Sequence, residues 1–154
     1  EQTCSSSCEW GSCDIGDVDD FEQNDSMSSS YTLLGIDDNE THRTLTANIN
    51  PSSDPDWYKI DISDTVGHAM DPRVTISVPT GQVYVVFLYY NCSESTNSYT
   101  STNNISGSST IELDVSKCKT SIINDDDSGT LYIKISPYSG YTGSCTNYGL
   151  DITA

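Results

Sequence analysis

The sequence predicts an all-β protein, and three observations carry that expectation. Val, Ile, Thr, Tyr, Phe and Trp number 52, whereas the strong helix formers Ala, Leu, Glu, Lys, Gln, Arg and Met number 27. Such usage suits pleated, half-buried strands and offers helices little. The apolar residues also fall in short alternating segments, and turn residues separate those segments. Seven or more strands of this spacing suggest a sandwich or a barrel.

Leu45, Ala47 and Ile49 alternate with Thr44, Thr46 and Asn48, which gives the first strand one apolar face. Tyr58, Ile60 and Ile62 do the same against Trp57, Lys59 and Asp61. Val74, Ile76 and Val78 follow. Residues 83–90 are apolar on both faces and are expected to form a central strand. Later come Ile111, Leu113 and Val115, then Leu131, Ile133 and Ile135, and finally Tyr148, Leu150 and Ile152. The separators include Asn50-Pro51-Ser52-Ser53 and Pro79-Thr80-Gly81. Residues 93–109, rich in Ser, Thr and Asn, are expected to be a long exposed loop.

Charge narrows the function classes. The 154 residues carry 23 acids against 6 bases, for a net charge of −17. Phosphates would be repelled, which argues against nucleic acid and anionic membrane surfaces as partners. The longest uncharged apolar run, 83–90, is far short of the ~20 residues of a membrane-spanning helix. Leu, Ile, Val and Phe total only 30, close to the composition of a disordered chain. Twelve Tyr and Trp side chains and the alternating pattern argue for a folded domain instead. A chain that opens on Glu1 without a basic segment is expected to be a processed product or an excised fragment.

Residues 1–19 read as a leader pinned by cysteine, and residues 20–154 as the domain proper. Cys4, Cys8 and Cys13 lie in the leader; Cys92, Cys118 and Cys145 lie in the body. Zinc would need a fourth ligand, and His42 and His68 are remote in sequence, so disulfides in an oxidising compartment are expected. Three cysteines in each group force at least one bridge between leader and body if all six pair within the chain. Cys92–Cys118 is the favoured pairing, among alternatives that the spacing leaves open.

Two acidic stretches form the sharpest chemical feature. Asp20, Glu22 and Asn24 alternate and are followed by Asp25; Asp54 and Asp56 lie two apart, just before a strand. Calcium takes about six to eight oxygen ligands from carboxylates and amides, which these residues supply. Acids before strands are also ordinary solvated turn residues, and spacing alone does not separate the two readings.

The pattern Asp20-x-Glu22-x-Asn24-Asp25-Ser26, then Leu33, Leu34 and Leu45, then Asp54-x-Asp56-Trp57-Tyr58-Lys59-Ile60, resembles the bacterial pre-peptidase C-terminal domain. That family is related to the collagen-binding domains of clostridial collagenases. Gly129-Thr130-Leu131-Tyr132-Ile133-Lys134-Ile135 with Tyr148-Gly149-Leu150-Asp151-Ile152 looks like its final hairpin. The resemblance covers about residues 20–154. Asp20 stands where the family often has Glu and Gln23 where Pro is usual, and the leader lies outside the common pattern. The resemblance implies a secreted, jelly-roll-like antiparallel β-sandwich without catalytic activity. It implies calcium as cofactor, one ion or two, held by Asp20, Glu22, Asn24, Asp25, Asp54 and Asp56.

Catalysis has little support, since no GxSxG, HExxH or phosphate loop is present, and paired carboxylates that could hydrolyse glycosides come with no hint of a deep cleft. Tyr132, Tyr138 and Tyr141 near the chain end are weaker candidates for ligand stacking, with cross-strand packing as the ordinary alternative. Trp57 is expected to pack. The expected function is extracellular adhesion or assembly, by a secreted or cell-surface protein that self-associates through its leader or a sheet edge as a filament subunit. The alternative is a module that targets a secreted hydrolase to an extracellular polysaccharide or protein.

Overall fold

Alternation of buried and outward residues determines where each segment goes. The computed structural model describes residues 19–38, 42–49, 54–64, 70–116, 118, 126–140 and 146–154. Its strands are β1 (Tyr31–Thr32), β2 (Ile36–Asp37), β3 (Arg43–Ala47), β4 (Asp56–Ser63), β5 (Arg73–Ser77), β6 (Tyr84–Cys92), β7 (Ser98–Ile105), β8 (Ser108–Glu112), β9 (Gly129–Pro137) and β10 (Tyr148–Thr153). No α-helix occurs among the described residues, only a 3-10 turn at Met27–Ser29.

The strands form two sheets packed as a sandwich. The first runs β1-β4-β9-β6-β7, with β2 further along the same edge of β4; the second runs β3-β10-β5-β8. Pairing is antiparallel except for β1 and β2, which lie parallel to β4 through Tyr31↔Tyr58 and Ile36↔Ile62. Tyr58, Ile60, Leu131, Ile133, Ile135, Tyr84, Val86 and Leu88 line the inner face of the first sheet. Ala47, Val74, Ile76, Tyr148, Leu150 and Ile152 face them from the second, all buried. Burial of this kind contributes roughly 1.5–3 kcal/mol per large apolar side chain.

Two expectations are corrected. The polar segment 93–109 is not a loop: β7 pairs with β6 residue for residue from Asn91↔Ser98 to Tyr84↔Ile105, and β8 begins at Ser108. An edge strand needs few apolar side chains because its stability comes largely from backbone pairing with β6. Only Ile105 is buried there, with Tyr99 half-buried against the core, and a polar outer face also guards the edge against aggregation. Secondly, β9 and β10 are not a hairpin. They pair with different strands and sit in opposite sheets, because each presents an inner face that the other sheet covers. Strand β6 is the interior strand that the sequence predicts, between β9 and β7, and its second face is half-buried. Among the described residues, Phe87 and Tyr89 are shielded there by side chains of neighbouring strands, Trp57 and Tyr132.

One disulfide is present among the described residues, Cys92–Cys118, with Cα atoms 5.4 Å apart. It fastens the end of β6 to the connection after β8. Cys4, Cys8, Cys13 and Cys145 lie outside the described residues.

Candidate metal centre

The segment before β1 is folded onto the start of β4 by local hydrogen bonds. Asp19 Oδ1 accepts from Phe21 N at 2.9 Å, and its Oδ2 accepts from Asn48 N at 2.9 Å, beyond the end of β3. Phe21 then packs edge-on against Tyr31 and Tyr58, with centroids 4.9 and 5.7 Å away. Asn24 O accepts from Trp57 N at 2.9 Å, which joins the turn to β4. Ser26 caps the 3-10 turn in a reciprocal capping box with Ser29.

This path brings acids together. Single carboxylate oxygens of Glu22, Asp25 and Asp54 lie within 4.8 Å of one another. Asn24 and Asp56 belong to the same two stretches and are both fully buried. Among the described residues neither amide atom of Asn24 has a hydrogen-bond partner of normal geometry, and neither does Asp56 Oδ1. Asp56 Oδ2 accepts from Tyr148 Oη at 2.5 Å, and the Tyr148 oxygen in turn accepts from Tyr58 Oη at 2.7 Å. Buried polar atoms without partners are costly, so the orphaned oxygens of Asn24 and Asp56 need an explanation.

The electrostatics agree with the geometry. Burial, then the charge of Asp54, pushes Glu22 up to about 7, with Asp19 and Asp25 adding to it against a backbone hydrogen bond from Asn24. Burial raises Asp54 as well, and Asp25 adds to the effect. Asp56 is pushed up to about 8, chiefly by burial and then by Asp19, Glu22 and Asp54, against the hydrogen bond from Tyr148. Like charges crowded at partial burial favour either protonation or a bound cation. The ligand atoms on offer are all oxygen, the donor type that hard divalent ions prefer.

Of the residues singled out from the sequence, Glu22, Asp25 and Asp54 converge, and Asn24 and Asp56 are buried beside them in the chain. Asp20 is exposed in the turn and stands outside the group. Asp19 does the anchoring instead; its spacing to Phe21 suits a local turn, but its reach to Asn48 is a tertiary fact with no signal in the sequence. Tyr132 lies on the outer face of β9 beside Tyr89, Tyr138 is exposed beyond the end of that strand, and Tyr141 lies outside the described residues. His42 Nδ1 stands 3.2 Å from Asp151 Oδ1 at the surface. His68 lies outside the described residues. No family model matches the chain, and no characterised protein sequence matches it.

Proposed function

We propose that the protein is a non-catalytic, calcium-binding β-sandwich that acts outside the cell in adhesion or assembly. One observation carries the cation: Asn24 and Asp56 hold buried oxygens without partners in the same turn and strand start where three carboxylates converge. A calcium ion would satisfy those oxygens and neutralise carboxylates that otherwise repel one another. The resemblance to the pre-peptidase C-terminal family supports the same ligands apart from Asp20. Cys92–Cys118 supports an oxidising, extracellular setting. Among the described residues no helix is long and apolar enough to cross a membrane.

Calorimetric titration with calcium tests the reading, with magnesium as comparison. Saturation at one hundred times the dissociation constant raises stability by about 2.7 kcal/mol, so the melting temperature rises clearly over that in chelator. The double substitution Glu22→Gln, Asp54→Asn should abolish the rise and leave the fold intact. A melting curve identical in excess chelator and in calcium would refute the assignment. The targeting-module reading is favoured by a separate feature, the outer face of the first sheet.

A further inference from the structure

We infer that the outer face of the first sheet is a binding surface for a neutral polysaccharide, independently of any cation. The sheet register sets Trp57, Lys134, Phe87 and Thr102 in one row across β4, β9, β6 and β7. The next row is Lys59, Tyr132, Tyr89 and Thr100. All alternate with inward positions, and the four aromatic rings are half-buried. Trp57 and Phe87 meet edge-on at 6.2 Å, and Tyr89 lies 6.0 Å from Tyr132 at 42°. Lys134 Nζ sits 5.8 Å from the centroid of Trp57. In the following row, Asp61 and Thr130 line a cavity of about 380 Å³, together with Asp37, Ser93 and Ser128.

Charge selects the occupant. Neither Lys59 nor Lys134 forms an ion pair with a described residue, while carboxylates stand at the cavity. An anionic polymer meets the repulsive field of a chain carrying −17, and a cationic one, though drawn by that field, meets Lys59 and Lys134 within the strip itself. A sugar hydroxyl both donates and accepts, so it fits carboxylates at one end of the strip and ammonium groups at the other. The C–H face of a pyranose ring packs on an aromatic side chain, as the tyrosine pair offers. Strands about 4.8 Å apart and a rise of about 3.4 Å per residue give two rows and a cavity the footprint of a short oligosaccharide. A peptide is disfavoured, because extended peptides add to open strand edges and the backbones of β4, β9 and β6 are paired on both sides.

Affinity electrophoresis in native gels cast with hydroxyethylcellulose, xyloglucan, laminarin or galactomannan tests the inference, with alginate and gelatin as contrasts. At least one neutral polysaccharide should retard the protein. Tyr89→Ala with Tyr132→Ala should weaken that retardation about tenfold or more. Because this pair also packs, a second variant, Lys59→Gln with Asp61→Asn, should weaken it at an unchanged melting temperature. Retardation by alginate or gelatin alone overturns the inference, as does equal retardation of the Lys59–Asp61 variant or no retardation by any neutral polymer.

Discussion

Asp56 is buried, accepts one hydrogen bond from Tyr148 and leaves its second oxygen without a partner. Its carboxyl is pushed up to about 8 and that of Glu22 to about 7, mainly by burial and then by neighbouring acids. Unfolded, both titrate near pH 4. Between roughly pH 4 and 8 the native state therefore binds more protons than the unfolded state, and stability falls as pH rises. Without cations, the melting temperature should drop steadily from about pH 5 to about pH 8; with saturating calcium the drop should be suppressed, because the ion holds the carboxylates ionised. Melts in chelator and in calcium should thus converge in acid and diverge at pH 8. An ion-free protein whose melting temperature does not change over this window contradicts the site.

Gly129 makes a second point at the same scale. A Cβ there would lie 2.5 Å from both Asn91 O and Tyr90 Cε1, so Gly129→Ala should cost about 1–3 kcal/mol by overpacking, read from thermal or denaturant melts. The acids, Asn24 and Gly129 were all visible in the sequence as residues. Which of them lose their solvent was not, because burial depends on chain segments tens of residues away.

At the level of elements, the apolar strands were legible because each carries a period-two pattern that pays off only against a core. Strand β7 was not, because its pairing with β6 uses backbone groups that every residue has, and its Ser, Thr and Asn side chains look like those of a loop. The assignment of β9 and β10 to opposite sheets was also hidden, since a hairpin and a sheet-to-sheet crossing join equally alternating strands. The Cys92–Cys118 bridge spans a separation of 26 residues. Replacing both cysteines with alanine should lower stability by about 3–4 kcal/mol on chain-entropy grounds. With that pair assigned, full oxidation leaves Cys145 to join Cys4, Cys8 or Cys13. Peptide mapping of the unreduced protein should find a leader-to-body bridge, and a free thiol at Cys145 would contradict it.

At the scale of the molecule, a net charge of −17 opposes the approach of two copies. Bound calcium would relieve part of that charge, and β7 stands at the end of the first sheet among the described strands, where a second chain could add a strand. Light scattering of concentrated protein should therefore show calcium-dependent association, lost on deletion of residues 1–19, which should leave a folded monomer, less stable because it lacks the Asp19 anchor. Protein that stays monomeric in calcium would leave the ligand-binding face as the functional surface.

Composition and alternation by themselves determined that the chain is all-β, that its apolar strands share a core, and that acids cluster ahead of β4. Those are consequences of local periodicity and side-chain chemistry, which act within a few residues. Tertiary structure alone decided that Asp19 reaches Asn48, that Asp20 stays in solvent, and that β9 and β10 face each other across the core. It alone brought Lys59, Lys134 and four aromatic rings onto one outer face. Each of these depends on strand register between distant segments, and register is set by packing of the whole sandwich.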